Sequence, residues 1–350
     1  MKTSSWLAVL LLGCSGALQA QEQAPAAGAG SQGGDEHGAY LSLGFGDGRI
    51  HGGDRGGGSR WMGGRAFEVR AGRDEPTRLG PGRIDFVHYN EGHPDNNHRD
   101  GFALQLVGVR PLGSTLTGEL GIGPYLSMNT TSVDGTQIDD SNWGMLLSVA
   151  LRLPLETLPF PALPAGTHLR LGLNHTLMPS AHRSTALTLG LGRQFGPAQP
   201  RPDTEPVTGP WWFGASVGRA ITNLEGTESA NAGVLEARKY LGERFEHWAL
   251  SGKLVLEGDD GARVDRRGLA AQLFYVQRVT PRFAMSAGLG PYVARNRRAD
   301  NATHGNLLVT FQAEHALTRH ARVFANFNRV KTFRKTDDRD LFQVGFLKDF

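Results

Sequence analysis

The 350-residue chain lacks the features that define several common protein classes. Its single cysteine is Cys14, so no disulfide can form within the chain. Beyond the N-terminal region, no apolar run approaches the roughly 20 residues that a transmembrane helix needs. The net charge of +3 gives no strong basic field, so nucleic acid is not an expected partner. Hydrophobic residues make up 39% of the chain, fewer than a water-soluble globular core normally uses. Because apolar residues are few, we expect them to be placed at regular intervals along the chain.

The first twenty residues have the organisation of a signal peptide. Lys2 supplies the positive start, Trp6–Leu12 the short apolar core, and Ala20 the small residue before the cleavage point. Lipoprotein processing is the alternative, because Leu11–Cys14 resembles a bacterial lipobox in which Cys14 is lipidated. If cleavage follows Ala20, the mature protein keeps no thiol. Either route exports the chain from the cytoplasm.

A tandem repeat organises the rest of the sequence. The segment Gly121–Leu126 reads GIGPYL and Gly288–Val293 reads GLGPYV, and the same shift aligns 99–106 with 266–273 without a gap. With small changes of offset the alignment extends outward, pairing Trp143–Leu147 with His304–Leu308. The predicted organisation is a signal peptide (1–20), a disordered leader (21–38), a first repeat (39–195), a Pro-rich linker (196–210) and a second repeat (211–350).

Within each repeat the dominant period is two. Phe102, Leu104 and Leu106 share one face of a strand, and Ala103 and Gln105 lie on the other. Such segments predict eight strands per repeat, at 39–48, 66–73, 83–90, 101–111, 116–129, 143–154, 167–178 and 184–195, and at 211–222, 233–241, 246–257, 268–279, 283–295, 304–316, 321–331 and 340–350. Long charged loops, including NTTSVDGTQIDDSN, alternate with mostly short turns, as in outer-membrane barrels.

The composition of the two strand faces favours a membrane barrel over a soluble one. Opposite the Leu, Phe and Val rows lie mainly Gly, Ser, Ala, Thr and Gln, which are too small and too few to solvate an outer wall but fit inside a narrow barrel. The predicted fold is therefore all-β: an antiparallel transmembrane β-barrel protein of about sixteen strands in two homologous eight-strand repeats. Two tandem barrels are favoured over one sixteen-stranded barrel because Gly44, Gly46, Gly190 and Gly192 would leave a wide lumen unlined.

The chain ends on an alternating strand, Leu341–Phe350, with a terminal aromatic residue. Phe350 resembles the signal by which Gram-negative outer-membrane barrels are recognised for insertion. With the repeats, the sequence resembles the small outer-membrane barrel families: the OmpA transmembrane domain, OmpX, OmpW and the PagL lipid A deacylases. The resemblance implies a bacterial outer-membrane location, periplasmic termini, and the barrel-assembly machinery and outer-membrane lipid, including lipopolysaccharide, as partners. An extracellular ligand is not identified.

Eight polar side chains are candidates for a network that faces the lumen. Two oppositely charged residues that are two positions apart on a strand lie on the same face. If that face lines the inside of a barrel, each charge must be paired with an opposite charge. We expect these residues to fill and rigidify the interior, with the Tyr of the Gly-Pro-Tyr phrase occupying space that Gly leaves open. The candidates are Glu68, Arg70, Gln105 and Tyr125 in the first repeat and Glu236, Arg238, Gln272 and Tyr292 in the second.

No catalytic, cofactor or metal site is predicted. The PagL-like pattern needs a Ser two residues after a His, but Leu177 follows His175 at that position, and His175 is expected to face lipid. The Gly52–Gly64 run lacks the Lys-Ser/Thr ending of a phosphate loop. The histidines of HYNEGHPDNNHRD match no known metal spacing and are lost from the second repeat. The leading prediction is a non-enzymatic outer-membrane barrel with a structural or binding role; the alternatives are a sixteen-stranded transport pore and, less favoured, a lipid A-modifying enzyme.

Overall fold

The computed structural model describes residues 37–51, 66–77, 80–92, 97–133, 136–157, 163–180, 183–198, 202–222, 228–242, 245–333 and 337–350. Strands account for nearly all of the regular structure in these ranges, and a 3-10 turn lies at Leu155–Thr157. No helix in the described ranges is long and apolar enough to cross a membrane. The predicted signal peptide and all but the end of the leader lie outside the described residues.

Sixteen strands follow one another in the part of the chain that the structure describes, each at least nine residues long. The first repeat forms the strands of what we call barrel 1: β1 (Gly38–His51), β2 (Ala66–Asp74), β3 (Gly82–Gly92), β4 (Asn97–Pro111), β5 (Thr117–Val133), β6 (Thr136–Pro154), β7 (Thr167–Leu177) and β8 (Arg183–Pro197). In barrel 2 they are β9 (Trp212–Thr222), β10 (Glu228–Tyr240), β11 (Trp248–Asp259), β12 (Asp265–Arg278), β13 (Phe283–Asn296), β14 (Thr303–Thr318), β15 (Ala321–Thr332) and β16 (Arg339–Asp349).

The strands close into two separate barrels. Each strand pairs antiparallel with its neighbours in sequence, and closure comes from β1 pairing with β8 and from β16 pairing with β9. The prediction of two tandem eight-stranded barrels is confirmed. The alternative of one sixteen-stranded cylinder is wrong, because the first and last strands of each repeat satisfy one another's backbone hydrogen bonds and leave no open edge.

Alternation along the strands sorts side chains to the two faces of each barrel wall. On β7, Arg170 and Asn174 are buried in the interior, whereas Leu171 and Leu173 are exposed on the outside. Similar rows of exposed apolar residues lie on the outer walls of both barrels where the two barrels do not contact each other. We call them the apolar belt: Leu104, Leu106, Leu120, Ile122, Val149, Leu151, Leu171, Leu173, Leu187, Leu189 and Leu191 on barrel 1, and Val217, Leu235, Leu250, Leu254, Leu256, Leu269, Leu273, Leu289, Val293 and Val344 on barrel 2.

Two details of the sequence interpretation are wrong. The NTTSVDGTQIDDSN segment, predicted as a loop, continues the ladder: β5 runs to Val133 and β6 begins at Thr136, because its β-branched residues support strand pairing. The alignment of Trp143–Leu147 with His304–Leu308 is shifted by one residue. Tyr125 pairs with Gly144, but its counterpart Tyr292 pairs with Asn306, and a slip of one residue exchanges the inward and outward faces.

The barrels contact each other along an interface that we call the seam. At its centre the outward-facing rings of Phe86 and Phe102 lie 4.4 Å and 5.2 Å from that of Phe311. His88 stacks on Phe327 with ring centroids 5.7 Å apart. These aromatic side chains cover one another.

The two ends of the seam differ in character. At the end that holds the barrel termini, Ala39, Val279 and Phe283 form a buried apolar cluster. At the loop end, Arg329 donates to both carboxylate oxygens of Asp340 at 2.9 Å and lies 3.8 Å from Asp100 of barrel 1. Because the seam spans the wall from end to end, the two loop sets lie side by side.

Candidate functional site

Arg70 is the centre of the polar network in barrel 1. Its Nε donates to Glu68 Oε2 at 2.8 Å and its Nη1 to Gln105 Oε1 at 2.6 Å. Its Nη2 donates to Ser148 Oγ at 2.9 Å and to Asn174 Oδ1 at 3.0 Å. These partners come from β2, β4, β6 and β7, so one guanidinium group spans the lumen and satisfies polar groups on four strands.

A second arginine extends this network toward the terminal end of barrel 1. Arg170 donates to Glu68 and, from Nε, to Glu119 Oε2 at 2.9 Å. Glu119 also accepts from Arg83 at 2.9 Å, and Arg83 pairs with Asp85. Acidic and basic groups alternate along the chain of contacts, so each buried charge has an opposite charge as neighbour, as burial requires.

Barrel 2 carries the corresponding network around Arg238. This guanidinium donates to Glu236 Oε1 at 2.7 Å, to Glu314 Oε1 at 2.7 Å and to Gln312 Oε1 at 3.2 Å. Tyr240 donates to the other Glu314 oxygen at 3.0 Å. Here two carboxylates from opposite sides of the lumen share one arginine.

An aromatic ring adds to the filling of barrel 2. The Arg238 guanidinium carbon lies 4.5 Å, and the Lys253 ammonium 4.8 Å, from the centre of the Phe274 ring, close enough for cation–π attraction. Gly288 makes room for this ring, since a Cβ there would lie 2.6 Å from Phe274 Cζ. The first glycine of the repeated phrase therefore accommodates Phe274 rather than Tyr292.

The two tyrosines of the repeated phrase belong to matching triads near the loop ends of the barrels. Tyr125 donates to Glu91 Oε1 at 2.8 Å, and Arg99 lies 3.2 Å from the other oxygen of Glu91. In barrel 2, Tyr292 donates to Glu257 Oε1 at 2.9 Å, and Arg266 donates to the two oxygens of Glu257 at 2.6 and 2.8 Å.

All eight sequence-predicted network residues are buried in the lumens, but they do not form a single kind of site. Both glutamines donate to equivalent backbone carbonyls, Gln105 to Leu146 at 2.8 Å and Gln272 to Leu308 at 2.9 Å. In the described contacts, Gln105 also accepts from its barrel's central arginine, whereas Gln272 accepts from Thr310 at 3.1 Å.

Several members of the networks were missed at the sequence level. Each lies on the small or polar face of its strand, so the period-two pattern contained the signal, but their cross-lumen partners were not evident. They are Arg83, Asp85, Glu119, Ser148, Arg170, Asn174 and Thr188 in barrel 1, and Tyr240, Ser251, Lys253, Phe274, Thr310, Gln312 and Glu314 in barrel 2.

The described part of the predicted linker packs on the terminal end of barrel 2. Thr204 is buried, donates from Oγ1 to Pro281 O at 2.7 Å and accepts from Arg322 at 2.9 Å. Val207 packs on the interior apolar cluster and accepts a hydrogen bond from Trp212 Nε1 at 3.0 Å. We call residues 202–210 the stopper segment, because they cover the barrel opening instead of only joining the repeats.

The histidine candidates whose side chains the structure describes are not placed in a catalytic or metal-binding arrangement. His175 lies on the outer face of barrel 1, where its Nδ1 is 2.7 Å from Thr185 Oγ1. His88 is part of the seam and Glu91 is engaged in its triad, whereas His93 lies outside the described residues. Among described residues there is no group of three or more His, Cys, Asp or Glu placed to hold a metal ion.

Comparison with known proteins gives similarity in fold at low identity. No protein-family model and no curated protein matches the chain. Among solved structures, the attachment invasion locus protein Ail of Yersinia pestis is 12% identical over 46% of this chain and 99% of its own, with a TM-score of 0.33. The translocator domain of the autotransporter NalP from Neisseria meningitidis is 12% identical over 99% of this chain and 95% of its own (TM-score 0.23). An outer membrane channel from Pseudomonas putida F1 is 15% identical over 92% and 100%, respectively (TM-score 0.21). Similarities at this level give no information on function.

Proposed function

We propose that this protein is an integral outer-membrane protein of the bacterial envelope, without enzymatic activity, that acts through its loop-bearing end. The observation that carries the proposal is the apolar belt. Leu120 and Val217 are each 66% exposed, and similar side chains cover the outer walls of both barrels outside the seam. In water, so much contiguous apolar surface would drive aggregation. In a bilayer the same surface is favourable, and closure of both barrels leaves no sheet edge exposed to lipid.

Exposed aromatic residues support the same placement. Trp143 lies outward near the loop end of barrel 1, and Trp211, Phe213 and Phe350 lie outward at the terminal end of barrel 2. Aromatic girdles at the two edges of an apolar band are typical of membrane barrels, since the rings suit the interface between acyl chains and headgroups. All strands also reach the roughly nine residues needed to cross a bilayer at a tilt.

The filled interiors support a structural or binding role over transport. The Arg70 and Arg238 networks join groups from opposite walls of each lumen, and the stopper segment covers the terminal end of barrel 2. A solute would have to break several charge-assisted hydrogen bonds to pass. The accessible surfaces are then the belt, which meets lipid, and the loop end, where an extracellular partner would bind.

Outer-membrane extraction tests the central proposal. The full-length protein should fractionate with outer membranes, require detergent for extraction, and migrate faster on electrophoresis before heating than after it, because a closed barrel resists unfolding by detergent alone. A monomer that stays soluble without detergent would refute the proposal.

Two further assays separate this role from its alternatives. In planar bilayers the protein should give no porin-sized conductance steps; discrete large steps would favour a pore. Mass spectrometry of lipid A from cells with and without the protein should show the same acyl pattern, and a missing acyl chain in the expressing cells would identify a deacylase.

A further inference from the structure

An arginine pair lies on the outer surface of barrel 2, directly above its apolar belt on the loop side. Arg267 on β12 and Arg295 on β13 are cross-strand partners, and both side chains are exposed. We call such a pair of outward-facing cross-strand partners a rung. The next rung of the same two strands is Leu269 and Val293, which are 65% and 51% exposed. Two residues along a strand span about 7 Å, so the arginines begin one rung beyond the surface that meets acyl chains.

The two arginines that directly follow β13 are neutralised by carboxylates. Arg298 donates to the two oxygens of Asp259 at 2.5 and 2.8 Å. Arg297 lies 3.4 Å from Asp265. Asp259 and Asp265, on either side of the β11–β12 connection, therefore neutralise the two arginines of the β13–β14 connection.

Arg267 and Arg295 are not neutralised in this way. Arg295 donates from Nε to the backbone and side-chain oxygens of Asn301, both at 2.8 Å, which are neutral acceptors. Within the described residues, neither arginine of the pair has a carboxylate at salt-bridge distance. Like charges directly opposite each other weaken an antiparallel pair, so this rung is a place where an anion between the two guanidinium groups would be stabilising.

The corresponding rung of barrel 1 has a different chemistry. Asp100 and Met128 are cross-strand partners there, at the positions that the repeat aligns with Arg267 and Arg295. That face of barrel 1 is covered by barrel 2, and Asp100 lies 3.8 Å from Arg329. The arginine pair thus occurs on the copy whose rung is open to the surroundings and not on the copy whose rung is covered by protein.

We propose that Arg267 and Arg295 bind the phosphate group of an outer-leaflet lipid. This inference rests on the membrane placement proposed above. Guanidinium groups bind phosphate oxygens through paired, charge-assisted hydrogen bonds. A phosphate held at this rung leaves the acyl chains of the same lipid over Leu269 and Val293, so one ligand satisfies both the charges and the apolar surface beneath them.

Lipid binding by purified variants tests the proposal. The unaltered protein, Arg267→Ala/Arg295→Ala, and a control, Arg110→Ala/Arg193→Ala, are stripped of lipid in detergent and reconstituted in phosphatidylcholine vesicles with or without lipid A. The control removes two arginines near the terminal end of barrel 1. Lipid A retained per protein is then measured by native mass spectrometry. We expect the unaltered protein and the control to retain equal amounts and the test variant to retain at least about tenfold less, because each arginine contributes a charge-assisted contact.

Two additional measurements distinguish the outcomes. Inorganic phosphate should not displace lipid A, since it supplies no acyl chains; displacement at equal concentration would identify a site for soluble anions and overturn the lipid assignment. Equal retention by the test variant and the control would also overturn it. Vesicle flotation and heat-dependent mobility are measured on all three proteins, because failure of the unaltered protein to insert would refute the membrane proposal itself.

Discussion

The network around Arg238 makes a quantitative prediction about stability. Replacing Arg238 with Met keeps a long side chain but removes the charge that Glu236 and Glu314 share at 2.7 Å each. Removing one partner of a buried ion pair costs about 3–5 kcal/mol because an uncompensated charge stays buried. Since two carboxylates lose the same partner here, we expect Arg238→Met to lower the free energy of unfolding of barrel 2 by at least that amount.

Urea unfolding of the reconstituted protein checks this prediction. Tryptophan fluorescence suits the measurement because Trp212 and Trp248 lie in β9 and β11, so much of the signal comes from barrel 2. The matched control is Arg298→Met, which removes an arginine of similar hydrogen-bond geometry from an exposed pair and is expected to leave the unfolding curve unchanged. If the two variants unfold alike, the buried network does not stabilise the barrel in the way that its geometry indicates.

Three other predictions follow from the seam, the loops and the stopper segment. If a protease site is placed at 199–201 and cut, the two barrels should remain associated in detergent. Phe311→Ala removes the ring 4.4 Å from Phe86 and should let the cut barrels separate. Separation of the cut barrels without this substitution would refute a stable seam. Burial opposes ionisation of Asp260, but three backbone N–H donors outweigh it and hold its pKa below the usual 3.8. The stability that this carboxylate gives to its loop is present at neutral pH and lost as the pH falls through the lowered pKa. The protection of the loop amides from hydrogen exchange, measured relative to their intrinsic exchange rate at each pH, should therefore decrease there, and Asp260→Asn should abolish this pH dependence. Val207→Asp places a carboxylate against an apolar cluster at a cost of about 1–3 kcal/mol. The stopper segment should then detach from the barrel more often, so that cleavage at the neighbouring 199–201 site becomes roughly tenfold faster or more. An unchanged cleavage rate would contradict this prediction.

The fold was predictable because one local rule, the alternation of outward apolar residues with inward small or polar ones, recurs from strand to strand in both repeats. What failed was local as well. The β5–β6 connection was read as a loop from its polar composition, although β-branched residues continue the ladder to Val133. The one-residue error near Trp143 arose because short Leu-rich segments align equally well in two registers, whereas the cross-strand partner of Tyr125 decides between them.

The candidate network was predictable only in part, for a geometric reason. Glu68 and Arg70 lie two residues apart on one strand, so the sequence alone indicates that they share a face. Their contacts with Arg170 and Asn174 depend on strand tilt and stagger, which determine the residues that meet across a lumen and which no local pattern encodes. The seam was invisible for a related reason: an outward Phe311 has the same sequence pattern whether it meets lipid or another barrel.

The two repeats are alike in their lumens and differ on their outer faces. The lumens keep the same arginine-centred filling and the same Tyr–Glu–Arg triads, because a closed eight-stranded barrel imposes the same demand on each copy. The outer faces were free to change, and they changed according to what covers them: Asp100 is paired beneath the neighbouring barrel, whereas Arg267, its counterpart, faces the surroundings beside Arg295. A charge at this rung is tolerated in either sign if an opposite charge neutralises it. For barrel 1 that charge is Arg329, and for barrel 2, where no carboxylate of the described residues reaches the pair, we propose that it is a lipid phosphate.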